Sequence, residues 1–464
     1  MNYSLTSFFG EKPKGITSRV KTQGLYFLHL IREFPILERS MKIKVAATFL
    51  PLTIFLLFFT ALAVKSSHEP PLLSPLSSPG KSEVAVTHLV TDPQTSPFQK
   101  IVGRVLGFKA LKAKPKRLQY EVFGYLPYWS FDKLQYLRLD LLSTIAYFAL
   151  EIDPQTGDFL KSGAYWNNWN GQDMKDLIER AKEEKTNVVV TVKLFENTPI
   201  EQFLACGKCR QNSINQTLKE IQEKGASGVN VDFEYFGTPP KDTVIKYAQF
   251  MRDLTDVIHK EVKGSTTSMA VYATSAREER IHNVELVGSF IDYVFIMGYD
   301  FFRPSSTNAG PIAPLFGVEK YGYDLQTSVE DFLQKMPAEK IVLGVPYYGY
   351  DWPVEGQGQN AKVIDFNDQN GGIGLLYFDR VPEVEKNNKV TLSWDFKAEV
   401  PYYSYYDTDK KVWRQVYYEN ERSLREKYDF IRSKKIRGVG LWALGFDGSR
   451  PELWDLLEEK FTRL

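Results

Sequence analysis

From residue 120 onward, short apolar runs alternate with amphipathic stretches, and this rhythm limits the fold more than any other feature of the chain. Eight runs have strand character: 122–128, 144–151, 188–195, 229–234, 268–274, 293–299, 341–348 and 438–443. Between them lie helical stretches at 173–184, 213–224, 243–262, 328–336 and 423–434. In the second of these, Ile214, Leu218 and Ile221 fall on one face and Gly225 supplies a stop. Eight parallel strands covered by helices describe an α/β fold, the (β/α)₈ TIM barrel, whose working groups sit at the carboxyl ends of the strands. The rhythm breaks once, between the seventh and eighth strands. Residues 353–412 read there as short strands and turns, clearest at 390–396 and 402–406, and predict a small α+β insertion forming one wall of a cleft.

The fourth strand candidate carries the densest chemistry. In Gly228-Val-Asn-Val-Asp-Phe-Glu234, successive side chains alternate between faces, so Asn230, Asp232 and Glu234 share one face and Val229, Val231 and Phe233 the other. Two carboxyl groups on one face raise at least one pKa and keep a carboxylic acid able to donate a proton near neutrality. A solvated edge strand would carry the same acids without that consequence.

Ahead of the barrel the chain has a different character. Residues 45–64 form an uncharged apolar run long enough to span a bilayer as a helix, preceded by Arg39, Lys42 and Lys44. Ala61-Leu-Ala63 fits a signal-peptidase site, and Met41 fits a start of translation. The expected organisation is residues 1–40 as a cytoplasmic or untranslated extension and 41–65 as a cleaved signal or retained anchor. A flexible Pro/Ser-rich linker at 66–118 and a catalytic barrel at 119–464 complete it. The barrel is thereby expected outside the cytoplasm, secreted or anchored, with a membrane contact through 45–64 if that segment is uncleaved.

A formal charge of +1 gives no reason to expect nucleic acid, and the 14% aromatic content suits flat, neutral ligands such as sugar rings. None of the histidines at 29, 68, 88, 259 and 282 is spaced as a metal ligand, so neither metal nor other cofactor is expected. Cys206 and Cys209, in a Gln/Asn-rich segment read as a loop, predict a small local disulfide or two idle thiols. Nothing in the sequence calls for an oligomer, and a monomer is expected.

Five motifs on successive barrel strands converge on one family. They are Phe123-Gly-Tyr-Leu-Pro-Tyr-Trp129 on the first, Gly228 to Glu234 on the fourth and Met297-Gly-Tyr-Asp300 on the sixth. Gly344-Val-Pro-Tyr-Tyr-Gly-Tyr350 on the seventh and Gly440-Leu-Trp-Ala-Leu-Gly-Phe-Asp447 on the eighth complete the set. Over residues 120–464 the chain resembles glycoside hydrolase family 18, the chitinase-like enzymes, and is most similar to the bacterial spore-wall and germination-type peptidoglycan hydrolases. The family pattern Asp-Gly-x-Asp-x-Asp-x-Glu is met here by Ser227, Gly228, Asn230, Asp232 and Glu234, with the last two intact. Asn230 keeps a hydrogen-bonding group for Asp232 without a second charge, so Asp232 is expected to titrate more normally than in an Asp–Asp pair. On the third strand Thr191-Val-Lys-Leu194 stands where family chitinases have Ser-x-Gly-Gly, which favours peptidoglycan over chitin.

The resemblance implies a retaining, substrate-assisted hydrolysis of β-1,4 links in N-acetylglucosamine-containing polymers. It makes Glu234 the proton donor, Asp232 the charge that supports the reacting acetamido group, and Tyr299 its hydrogen-bonding guide. Asn230 is implied as a supporting residue, Tyr125, Met297 and Asp300 as sugar-binding residues, and Trp442 as the floor under the reacting ring. Tyr347 and Trp352 either extend the cleft or pack beneath the insertion. The alternative is a carbohydrate-binding protein of the same fold without turnover.

Overall fold

The computed structural model describes residues 117–365, 370–388 and 390–463. The expected extension, membrane or signal segment and most of the linker lie outside the described residues. The last two linker residues, Arg117–Leu118, form a short antiparallel pair with Thr462–Arg463.

Seven barrel strands come first in the chain: β1 (Glu121–Pro127), β2 (Thr144–Glu151), β3 (Asn187–Phe195), β4 (Gly228–Glu234), β5 (Thr266–Tyr272), β6 (Tyr293–Met297) and β7 (Ile341–Pro346). Five insertion strands follow: β8 (Tyr348–Val354), β9 (Gly374–Tyr377), β10 (Ser393–Asp395), β11 (Val400–Asp407) and β12 (Val412–Tyr417). Then β13 (Gly438–Trp442) closes a parallel barrel of order β13-β1-β2-β3-β4-β5-β6-β7. The principal helices are α1 (Gln172–Glu184), α2 (Asn197–Ala205), α3 (Gly207–Lys224), α4 (Lys241–Glu261), α5 (Leu325–Leu333), α6 (Val381–Asn388), α7 (Glu421–Lys434) and α8 (Glu452–Phe461).

The strands are buried on both faces, because helices cover the outside and side chains fill the inside. Phe295 is the central plug. Its ring lies 5.2 Å from Phe123 and 4.8 Å from Tyr125, and it fits because β7 and β13 present glycines to it. A Cβ on Gly344 would lie 2.5 Å from that ring, and one on Gly440 only 2.0 Å. Two residues without side chains thus let one aromatic ring fill the barrel below the site.

Several boundaries differ from expectation for local reasons. Asp324 accepts a hydrogen bond from the Thr327 N–H, which starts α5 at Leu325 instead of 328. Barrel strand β7 stops at Pro346 and a new strand begins at Tyr348, so the insertion is a five-stranded antiparallel sheet, β9-β8-β12-β11-β10, spanning 348–417 instead of 353–412. Its inner strand β8 pairs with β12, a partner more than fifty residues away that period-two patterning does not reveal.

Cys206 and Cys209 are joined in a disulfide, and the segment read as a loop is helical from Gly207 onward, with Cys206 as the extended residue between two helices. Cys206 caps α3, its sulfur accepting from the Cys209 N–H at 3.1 Å. The polar Gln211-Asn212 run remains helical because Cys209, Ser213, Ile214, Thr217 and Ile221 make a continuous buried stripe.

Candidate active site

Strand β4 has one face built for packing and one for chemistry. Val229, Val231 and Phe233 point outward and are fully buried, with Phe233 stacked on Phe250 of α4 at 5.7 Å and edge-on to Phe203 of α2 at the same distance. That outer packing fixes the strand and aims Asn230, Asp232 and Glu234 inward.

Asn230 lies deepest. Its side-chain oxygen accepts from the Tyr125 hydroxyl at 2.7 Å, and its amide donates to Ser268 Oγ at 2.9 Å. Both bonds run sideways to β1 and β5, so Asn230 supports the Tyr125 ring and makes no hydrogen bond to Asp232. Among the described residues Asp232 Oδ1 is buried without a hydrogen-bond partner. Burial pushes its carboxyl well above the usual range, Glu234 adds to that rise, and Lys193 opposes it. Burial is the largest cause of that rise, so a neutral Asn230 does not by itself leave Asp232 with an ordinary titration.

Glu234 sits at the carboxyl end of β4. Burial raises its pKa; the Tyr272 hydroxyl, 3.5 Å from Oε2, lowers it, Asp300 raises it and Lys193 lowers it. A coupled pair of this kind holds a proton to a higher pH than either acid would in water, and it supplies a donor and a charge side by side.

Tyr299 and Asp300 follow the end of β6. Tyr299 is half-buried, and its ring lies 6.3 Å from the Trp442 indole at an interplanar angle of 29°. Asp300 has a left-handed backbone (φ 60°) and accepts from the hydroxyls of Tyr348 at 2.5 Å and Tyr350 at 3.1 Å. Trp442, ending β13, is held edge-on by Phe148 at 4.8 Å and Tyr125 at 5.3 Å. Such support presents a rigid aromatic face.

These groups share one cleft of about 940 Å³. Tyr125, Asp232, Glu234, Met297, Tyr299, Asp300 and Trp442 all line it, and Asn230 lies beneath its floor, bonded to Tyr125. Tyr347 and Trp352 do not line it. Tyr347 is buried against Tyr428, 3.0 Å between hydroxyls, and Trp352 is buried in the inner insertion strand, so both are packing residues.

Sequence reasoning missed Lys193 and Tyr272. Lys193 stands beside Asp232 in the β3–β4 register, with its ammonium 2.9 Å from Glu151 and 4.6 Å from the Phe195 ring centroid. A lysine inside an otherwise apolar strand was the available signal. Tyr272 shares the inward parity of Ser268 on β5, which also could be read from alternation.

A closed (β/α)₈ barrel with two neighbouring carboxyl groups in an aromatic-floored cleft at its carboxyl rim has the architecture of a barrel enzyme. Within that class, the chain belongs to the glycosyl hydrolases family 18, whose profile matches residues 121–447. It is 26% identical over 262 residues to the cortical fragment-lytic enzyme of Bacillus subtilis (strain 168), an alignment covering 54% of each chain. The chain thus spans about half the length of that curated relative. Its fold matches a mutant form of the class V chitinase of Nicotiana tobaccum in complex with NAG4, with TM-score 0.64, 16% identity and coverage of 74% of this chain and 99% of the other. It likewise matches the Bacillus cereus spore cortex-lytic enzyme SleL, with TM-score 0.58, 20% identity and 74% of each chain covered.

Proposed function

We propose that the protein is an exported, retaining glycosidase that hydrolyses β-1,4 links in N-acetylglucosamine-containing polymers, with peptidoglycan favoured over chitin. The observation that carries this reading is the convergence of Glu234, Asp232, Tyr299 and Trp442 on one cleft. Relatives named as a cortical fragment-lytic enzyme and as a probable endochitinase support the substrate class.

The chemistry follows from the positions. A sugar ring seated on Trp442 brings its glycosidic oxygen to Glu234, whose raised pKa keeps a proton available. No enzyme nucleophile is needed: as Glu234 gives its proton to the glycosidic oxygen and the bond from that oxygen to the anomeric carbon breaks, the substrate's own acetamido carbonyl attacks that carbon and forms an oxazolinium ion. Asp232 receives the acetamido N–H and offsets the developing positive charge, which a buried site does more strongly than water. The Tyr299 hydroxyl donates to the acetamido oxygen and aligns it for attack. Glu234, now ionised, then takes a proton from the water that opens the ring, and the anomeric configuration is retained.

Export is supported by the apolar run at 45–64 and by the Cys206–Cys209 disulfide, which suits an oxidising compartment. The decisive experiment compares reducing ends released from N-acetylglucosamine oligomers, purified peptidoglycan and a glucose polymer lacking the acetamido group. Glu234→Gln is expected to lower turnover roughly 10³-fold while leaving binding. Equal cutting of the glucose polymer would overturn the assisted mechanism, and binding without cleavage by the wild type would favour the lectin alternative.

A further inference from the structure

The cleft is electrostatically lopsided. The wall near β1 to β3 is aromatic, with Trp129, Phe148 and Phe195, whereas the guanidinium groups lining the cleft, Arg280 and Arg303, follow β5 and β6. Arg280 is engaged through Nη2, which pairs with Glu278 and donates to Thr274 Oγ1 at 3.4 Å, while its Nε is buried without a hydrogen-bond partner among the described residues and does not face open cleft. Its neighbour Arg277 is held by Asp331 at 2.8 Å.

Arg303 differs. Among the described residues its guanidinium makes no ion pair and no hydrogen bond, and only its backbone N–H is engaged, by Ser306 Oγ at 3.0 Å. The nearby carboxyl, Asp300, accepts from the hydroxyls of Tyr348 and Tyr350 through Oδ1 and feels the Arg303 charge, which lowers its pKa, without forming an ion pair with it. The cleft therefore exposes a planar cation with its donors open, a few residues along the loop from Tyr299.

We propose that Arg303 forms an anion subsite of the cleft and binds a carboxylate carried by the glycan, so that the preferred substrate is an acidic N-acetylhexosamine polymer. This rests on the glycosidase reading above. A neutral N-acetylglucosamine chain offers a guanidinium only hydroxyls and amides. A carboxylate meets the same donor fork with two charge-assisted bonds, the strongest match this side chain makes. Two chemical sources present that group on an amino-sugar chain: a lactyl ether at a sugar oxygen, and the terminal carboxylate of a short peptide attached through it. A sugar chain held on the Trp442 face would bring such a substituent toward the β5–β6 wall.

The test uses the full chain and three probes: N-acetylglucosamine oligomers, alternating N-acetylglucosamine/N-acetylmuramic acid chains stripped of peptide, and the same chains bearing peptide stems. Wild-type kcat/KM is expected to favour a carboxylate-bearing probe, with the preference shrinking as salt rises. Arg303→Gln should lower the ratio of acidic to neutral kcat/KM roughly tenfold, and Arg303→Lys should restore part of it. Preference for the stripped chain assigns the lactyl carboxylate; preference for the stem-bearing chain assigns the peptide. An unchanged ratio in Arg303→Gln overturns the subsite. Equilibrium binding of the same probes to Glu234→Gln, with and without Arg303→Gln, separates the two readings. An Arg303-dependent binding preference without any wild-type cleavage would leave the subsite standing and remove the glycosidase. Cleavage without that preference would do the reverse.

Discussion

At the scale of single residues, Lys193 most alters the chemistry expected from the motif alone. It favours the ionised forms of both Asp232 and Glu234, against burial that disfavours them. Tyr125, Tyr247, Tyr272, Tyr299 and Asp300 also surround the pair, and Arg280 and Arg303 line the same cleft, but Lys193 is the cation that acts on both carboxyls. Removing it raises both carboxyl pKa values. The proposed mechanism requires Asp232 ionised and Glu234 protonated, so on that mechanism both limbs of the pH profile of kcat/KM should move to higher pH in Lys193→Met. Lys193→Arg should lie closer to the wild type. A uniform drop with unmoved limbs would assign Lys193 a purely structural role. The motif pointed to Asp232 and Glu234 directly, since alternation alone puts them on one face. It did not disclose that Asn230 turns its amide away to Tyr125 and Ser268, because those partners come from strands 105 and 38 residues distant in sequence.

At the scale of elements, the barrel depends on small residues meeting one large one. Gly440 on β13 is pressed against the Phe295 ring, so Gly440→Ala must either displace that ring or bend the strand. Its expected cost is about 1–3 kcal/mol, measured as a drop in urea midpoint. Because Phe295 also packs on Tyr125, activity should fall further than stability explains, and a variant with normal midpoint and activity would remove Phe295 from the support of the site. The eight barrel strands and most of the covering helices were legible because the apolar period switches between two and 3.6, whereas the helical start at Gly207 was read as a loop. Their ends were not, since caps such as Asp324 and sheet partners such as β12 set them.

At the scale of the whole molecule, burial of His282 behind β4 couples folding to pH. Its Nε2 lies 2.8 Å from the Phe233 carbonyl, and burial lowers its pKa to about 4. The unfolded chain protonates this group near ~6.5 and the folded chain does not, so its contribution to stability is full above that pH and is lost as pH falls toward 4. That amounts to about 3 kcal/mol over the interval. The raised pKa values of Asp232 and Glu234 work in the opposite direction, so the measurement is the difference between wild type and His282→Gln. The variant's unfolding free energy should depend on pH between 6.5 and 4 by one proton less. Identical slopes would mean that His282 is protonated in the folded protein.

The sequence by itself determined the barrel, the strand that bears the acids and the family, because those depend on local periodicity and on motifs contained in single strands. Tertiary structure alone decided what surrounds each group: the lysine beside Asp232, the sideways bonds of Asn230, the guanidinium of Arg303 left without an ion pair among the described residues, and the helical placement of Cys209. The physical reason is that pKa, pairing and access depend on neighbours brought together by barrel closure, and their identity is not encoded in the spacing of residues along one strand.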